Sequence, residues 1–298
     1  MLRRSLLYIP ASSQKMLNKA NSLNADTIAL DLEDGVAEIS KKIARENLLN
    51  SYHNLKKSSV TRELAIRTNS VSALENFSLD LEMLNQLETL PGCLLVPKVD
   101  SVDDSDYIIS NLSKIYNRRP GASCHLITFV ETAQALVNIK EIFSNIKKKT
   151  TSSKNKNIIH SGCVFGSDDY CADMNIERTT EGLVYARQKI ATTCRAFNLD
   201  AIDMVNIDFK DNTGLIQQCI EGKKFGFSGK QLIHPNQIED CNRLFSPDEQ
   251  QIEWATQLVT EFEIFSKAGT GAFTFRGQMI DMPLLRIARN ILELANRD

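Results

Sequence analysis

The sequence predicts a (β/α)₈ barrel followed by a C-terminal helical extension. Three observations carry that expectation. Short, near-continuously apolar runs alternate with longer stretches at helical spacing, as buried parallel strands and their crossover helices do. Eight such runs precede residue 246, enough to close a barrel. Five successive runs, the second to the sixth, end on charged residues, and in a barrel all strand ends meet at one face, where the βα loops gather. The barrel is assigned residues 1–245 and the extension 246–298.

Taken in order, the first strand is Ser5-Leu6-Leu7-Tyr8-Ile9, stopped by Pro10, and a polar helix follows over 13–23. Strands at 27–32 and 63–67 flank a helix over 37–55. A helix over 74–90 leads to the strand Cys93-Leu94-Leu95-Val96-Pro97-Lys98-Val99, and one over 103–116 leads to Leu126-Ile127-Thr128-Phe129-Val130, closed by Glu131. From Thr132, a hydroxyl suited to a helix cap, Leu136, Ile139, Phe143 and Ile146 keep helical spacing. The lysine- and serine-rich stretch 147–157 reads as a solvated loop. Strands at 158–165 and 201–205 surround a helix over 181–197, and after a helix over 215–222 the run 225–230 supplies the eighth strand. Beyond the barrel come an amphipathic helix over 247–266, a glycine-spaced link over 269–273 and a last helix over 283–296.

Composition narrows the partners. The 298 residues carry 35 basic and 37 acidic side chains of mixed order, so no basic stripe suits nucleic acid, and small molecules are expected instead. No apolar run reaches the roughly 20 residues of a membrane span. Seven cysteines, an odd number without a C-x-x-C pair, read as buried free thiols of a reducing compartment rather than a disulfide frame. Met1-Leu2-Arg3-Arg4 leads straight into the first strand with no secretory or transit segment.

The charged strand ends supply the chemistry. In Phe165-Gly166-Ser167-Asp168-Asp169-Tyr170 two adjacent carboxylates follow a buried strand, an arrangement that asks for a cation. Glu131 and Asp169 make a pair of hard oxygen ligands for Mg²⁺, with Asp168 able to stand in for Asp169. Each acid could instead cap the helix after it. Gly166 and Ser167 could offer backbone N–H groups to an anionic substrate. Arg67 is suited to hold a carboxylate or an enolate oxygen, or to pair with the acids of the second strand, with Glu33 and Asp34 orienting it from behind. Lys98 could neutralise this acidic mouth, or form a Schiff base in a metal-free aldolase. His234, before Pro235, suits a turn or a ligand's edge.

The ordered set Arg4-Ser5-Leu6-Leu7-Tyr8-Ile9-Pro10-Ala11, Asp31-Leu32-Glu33-Asp34-Gly35-Val36, Arg67-Thr68-Asn69, Val96-Pro97-Lys98-Val99, Glu131-Thr132-Ala133 and Phe165-Gly166-Ser167-Asp168-Asp169 resembles the citrate lyase beta subunit-like proteins of the HpcH/HpaI aldolase superfamily. The stretches 229–237 and 271–283 look like its mitochondrial citramalyl-CoA lyase branch. The resemblance implies a Mg²⁺-dependent barrel enzyme, usually a homotrimer, that cleaves citramalyl-CoA to acetyl-CoA and pyruvate. Carried over by motif, Glu131 and Asp169 hold the metal, Arg67 faces the acyl carbonyl, and Asp281 is the acid/base, in relatives supplied by an adjacent subunit. Tyr8 and Lys15 are the weaker choices for coenzyme A. Asp281 could instead cap the last helix, since Pro283 suits a first helical turn, but if Pro283 is the first helical residue, Met282 takes the cap position and Asp281 sits one residue too early.

Two departures stand out: many relatives carry Gly-Gly where this chain has Gly166-Ser167, and mitochondrial members carry a presequence, so the compartment is mitochondrial by resemblance and otherwise cytoplasmic. Rival expectations are a malyl-CoA lyase or malate synthase-like enzyme using glyoxylate, and a non-catalytic CoA-binding subunit.

Overall fold

The computed structural model describes residues 2–58, 63–152, 154–267 and 273–296. Eight strands, β1 (Ser5–Pro10), β2 (Thr27–Asp31), β3 (Glu63–Arg67), β4 (Cys93–Val96), β5 (Cys124–Val130), β6 (Ile158–Phe165), β7 (Asp200–Asp203) and β8 (Gly229–Leu232), pair in sequence order into a closed barrel. All neighbours are parallel, and β8 returns to β1 through Lys230 beside Ser5. Alternate residues point inward. Leu6, Ala29, Ala65, Leu95, Ile127, Phe129, Val164 and Ile202 fill the barrel. Each large apolar side chain buried this way contributes about 1.5–3 kcal/mol relative to exposure. The far end is pinned by Arg3, whose guanidinium meets both Glu63 oxygens at 2.7 Å and Asp200 at 2.9 Å.

The crossovers are α1 (Gln14–Lys19), α2 (Lys41–Ser58), α3 (Leu74–Gln86), α4 (Val102–Tyr116), α5 (Ala133–Thr150), α6 (Ser167–Met174), α7 (Thr180–Phe197) and α8 (Asn212–Phe225). Their starts follow local chemistry: Ser101 and Asp104 form a reciprocal capping box on α4, and the Thr132 hydroxyl accepts from Ala135 N at 3.0 Å on α5, as the sequence suggested. Three short 3₁₀ turns and a helix α9 (Ile238–Phe245) complete the loops.

Several boundaries differ from expectation. The eighth strand begins at Gly229, not 225, because α8 runs on to Phe225 and ends at Gly226, whose φ of 98° is the left-handed cap that glycine adopts without strain. The lysines at 147–149 belong to the last turn of α5 rather than to a loop, where positive charge complements the carbonyl end of the helix. A helix start at the acidic motif was expected, but α6 begins at Ser167, so both acids lie in its first turn rather than ahead of it. The seven cysteines are free and buried. Among the described residues no helix is long and apolar enough to cross a membrane.

The chain divides into two compact units, Arg3–Asn242 and the stretch from Arg243 onward together with Leu2, slightly ahead of the boundary expected at 245. The second unit contains α10 (Glu249–Lys267), a hairpin of β9 (Phe273–Phe275) and β10 (Gln278–Ile280), and α11 (Met282–Ala295). Ala255, Leu258, Phe275, Ile280 and Ala288 form its own core, with Trp254, Phe262 and Leu284 packed around them. Residues 269–272 of the expected link lie outside the described residues, and Phe273 already belongs to the hairpin.

Candidate active site

The strand ends bring the predicted charges together. Asp31 and Arg67 are register partners at the ends of β2 and β3, and Arg67 grips Asp31 through Nε to Oδ1 and Nη2 to Oδ2, both at 2.7 Å. Nη1 of Arg67 lies 2.7 Å from Glu33 Oε2, off the hydrogen-bond line, so that oxygen has charge contact but no hydrogen-bond partner. Asp34, half exposed, is 3.8 Å from Nη1. The Tyr8 ring lies beneath the guanidinium, 4.4 Å from its central carbon, and its hydroxyl donates to Gln231 Oε1 at 2.8 Å. Tyr8 is thus a wall under Arg67 with its hydroxyl already engaged. Two of the five N–H groups of Arg67 are committed to Asp31, which leaves others for a substrate oxygen.

Glu131 and Asp169 meet through Lys98. The Lys98 backbone N–H donates to Glu131 Oε1 at 3.0 Å, and its Nζ lies 3.5 Å from Glu33 Oε1 and 3.6 Å from Asp169 Oδ1. Lys98 holds this position with φ 51°, a left-handed backbone for a side-chain-bearing residue, of the kind that concentrates at functional sites. Glu131 needs room from its neighbour. Val130 and Phe165 are register partners, so Gly166 stands beside Glu131, and a Cβ there would fall 2.6 Å from Glu131 Oε2. The Gly166 N–H donates to the Val130 carbonyl at 3.0 Å, so it is bound into the sheet rather than free for a substrate anion as the sequence suggested.

The electrostatics fit a divalent cation. Burial pushes the Glu131 carboxyl well above its ordinary value, and repulsion from Glu33 and Asp169 pushes it further. Burial likewise lifts Glu33 to about 7, against the pull of Arg67. Burial pulls the Lys98 ammonium down, but Glu33 and Asp169 outweigh it and carry the group above its usual range, so it stays charged. A charged lysine is a poor Schiff-base nucleophile. Among the described residues no group of three or more His, Cys, Asp and Glu side chains is arranged to cage a metal. Two hard carboxylates such as Glu131 and Asp169 would suit Mg²⁺, a cation that keeps several waters and takes further oxygen ligands from substrate.

Asp168 turns away from this cluster to Arg178, whose Nε lies 3.0 Å from Asp168 Oδ1 and 3.0 Å from Ser167 Oγ. Lys15 is exposed on α1, in the loop region after β1. His234 accepts from Asn236 N at 3.2 Å and caps the turn at Pro235, the structural role its sequence position suggested. Its ring also stacks on Phe209, centroids 4.7 Å apart and planes at 17°. Both rings line a cleft of about 610 Å³ between the loops after β7 and β8, with Lys210, Asn212 and Asp240 among its other walls. Asp281 is in the second unit. It is the N-cap of α11, accepting from Leu284 N at 3.1 Å, because the helix begins at Met282 with Pro283 as its second residue. That corrects the expectation that Met282 would cap.

The pairing of Arg67 with the acids of the second strand was expected, and Asp31, which closes β2 just as Arg67 closes β3, is the acid it grips. Sequence reading missed Arg178 and Phe209. Arg178 lies nine residues beyond Asp169 with no motif around it, and Phe209 sits in an irregular loop.

Comparison with known proteins gives the chain's family and relatives of the same fold. Residues 4–235 match the HpcH/HpaI aldolase/citrate lyase family. The mitochondrial citramalyl-CoA lyase of Homo sapiens is 40% identical over 298 residues, covering 98% of this chain and 85% of the relative. A CitE protein of Mycobacterium tuberculosis, solved in complex with magnesium, acetoacetate and coenzyme A, superposes with a TM-score of 0.71 at 25% identity over 98% of this chain and 97% of its own. A citrate lyase of Burkholderia xenovorans LB400 has the same fold, with a TM-score of 0.83 at 18% identity over 99% and 92% of the two chains. The chain belongs to the HpcH/HpaI aldolase/citrate lyase family.

Proposed function

We propose that this protein is a Mg²⁺-dependent carbon–carbon lyase that cleaves citramalyl-CoA to acetyl-CoA and pyruvate and can run the reverse condensation. The observation that carries the reading is the acidic cluster at the barrel mouth, Glu131, Asp169 and Glu33 around Lys98 and beside Arg67. Near-full-length similarity to a citramalyl-CoA lyase supports the choice of substrate.

Glu131 and Asp169 are the carboxylates that would hold the metal. When bound, Mg²⁺ would supply Lewis acidity to the keto-acid end of the substrate. Arg67, aimed by Asp31, donates to the thioester oxygen as negative charge gathers there on C–C cleavage. Tyr8 keeps water from the underside of that guanidinium. Lys98 balances the acids. On cleavage a base takes the proton of the tertiary hydroxyl as the C–C bond breaks and the keto group forms. Asp281, in its acid form, gives a proton to the departing enolate carbon; in condensation it takes a proton from the acetyl methyl instead. Lys15 and the cleft at Phe209, Lys210 and His234 serve the CoA moiety, with cations for phosphate and a stacked pair of rings as a flat apolar surface. Assembly as a homotrimer brings Asp281 of one subunit to a neighbour's site. The setting is mitochondrial, as for the human relative.

Glyoxylate in place of pyruvate differs by one methyl, worth about 1–3 kcal/mol in a hydrophobic pocket, so malyl-CoA is the substrate to compare. Steady-state cleavage of the two thioesters in Mg²⁺ tests the assignment: a higher kcat/KM for citramalyl-CoA supports it, and a higher value for malyl-CoA replaces it. Coenzyme A binding without turnover of either would mark a silent binding subunit.

A further inference from the structure

Asp168 and Asp169 are neighbours in the first turn of α6, and adjacent positions on a helix point about 100° apart, so one alone can face the barrel mouth. What fixes the rotation is outside the motif. Arg178, in the segment between α6 and α7, directs Nε at both Ser167 Oγ and Asp168 Oδ1, each 3.0 Å away. Its Nη2 donates to the carbonyl of Val205, just beyond β7. One guanidinium therefore ties the start of α6 to the end of β7. The Ser167 side chain is buried, and its hydroxyl oxygen is one of the three anchors. A glycine there would remove that anchor. With Asp168 held to Arg178, Asp169 is the acid that reaches toward Lys98.

We infer that Arg178, acting through Ser167 and Asp168, is a positioning residue that selects Asp169 as the metal-binding acid and fixes its direction. The inference rests on the Glu131–Asp169 metal reading above. Arg178 touches neither ligand carboxylate, so its effect is on the geometry of the pair rather than on its charge. Partners of this kind behind a metal ligand typically alter metal affinity by about 10–100-fold.

Calorimetric titration of Mg²⁺ into wild-type protein, Arg178→Gln, Arg178→Lys, the double variant Ser167→Ala/Asp168→Asn and Glu131→Ala tests it, with metal-free thermal unfolding of each as a check on folding. The clamp predicts that Arg178→Gln and the double variant each weaken Mg²⁺ by roughly tenfold or more. It also predicts that Arg178→Lys recovers part of the loss, since a single ammonium reaches fewer of the three anchors. If Arg178→Gln does not fold, the double variant reads the same clamp from its other side. Wild-type Mg²⁺ affinity in the folded clamp variants, with affinity lost in Glu131→Ala, overturns the clamp and leaves the metal pair standing. Unchanged affinity in Glu131→Ala overturns both.

Discussion

Asp31 and Arg67 close adjacent parallel strands at the same register, and two 2.7 Å contacts lock the guanidinium to both carboxylate oxygens. The pair is almost wholly buried, with side-chain exposures of 1% and 10%. The direction of Arg67 is therefore set before substrate arrives, as an electrostatic catalyst requires. Asp31→Asn keeps the shape but forfeits the charge and one of the two contacts. Breaking a buried pair costs about 3–5 kcal/mol, so the thermal midpoint falls by roughly 10 °C. Turnover falls by about 100-fold, equivalent to about 2.7 kcal/mol of transition-state stabilisation. Calorimetric unfolding and steady-state kinetics on the same preparation check both numbers.

Gly166→Ala adds one methyl where Glu131 already stands, with 2.6 Å to Oε2 and 2.8 Å to its Cβ. Glu131 must shift, because the methyl sits on backbone held by the Val130 carbonyl. Mg²⁺ affinity drops by roughly tenfold or more while the barrel stays folded. Wild-type affinity in this variant would remove Glu131 from the ligand pair.

The raised carboxyls make metal binding and stability pH-dependent in opposite senses. Glu33 titrates at about 7 in the fold against 4.5 ordinarily, and Glu131 is shifted in the same direction. Through that window the folded protein holds protons that the unfolded chain has released. Their contribution to metal-free stability is therefore greatest at low pH and is lost as pH rises toward 7 and beyond. Mg²⁺ needs the carboxylates ionised, so its apparent affinity strengthens with pH, by about tenfold per unit for each proton displaced. Titration in buffers of different ionisation enthalpy measures the released protons, and none released between pH 6 and 8 would contradict the assignment.

Much of this site was legible in the sequence because barrel geometry converts strand ends into neighbours. Glu131, Asp169, Arg67, Glu33 and Lys98 were all found as charges closing apolar runs, and the structure links them through Lys98 and Arg67. What sequence could not supply was rotation and register. Asp168 and Asp169 are chemically identical, and Arg178, which separates them, is remote and unmotivated by pattern. The last strand was misplaced because Phe225-Gly226 reads as an apolar run until the left-handed backbone of Gly226 ends α8. The sequence offered Asp281 as a cap but placed it one residue too early, because a proline suits either of the first two helical positions, and here it takes the second.

Asp281 caps α11, so its catalytic role needs a variant that keeps the cap. Asparagine caps about as well as aspartate, whereas alanine costs about 1 kcal/mol. Asp281→Asn is expected to unfold within about a degree or two of wild type yet to lose at least about 100-fold in kcat, with Mg²⁺ affinity unchanged. Asp281→Ala loses both. Wild-type turnover in Asp281→Asn would reduce the residue to a helix cap.

The central claim is that Glu131 and Asp169 hold Mg²⁺ for cleavage of an acyl-CoA carbon–carbon bond. The most direct test follows pyruvate release from citramalyl-CoA with Mg²⁺, with EDTA, and with Glu131→Ala. Release that requires Mg²⁺, stops with EDTA and falls by three orders of magnitude or so in the variant, equivalent to about 4 kcal/mol, is the predicted result. Release that persists in EDTA, with substrate trapped on Lys98 by borohydride, would contradict it.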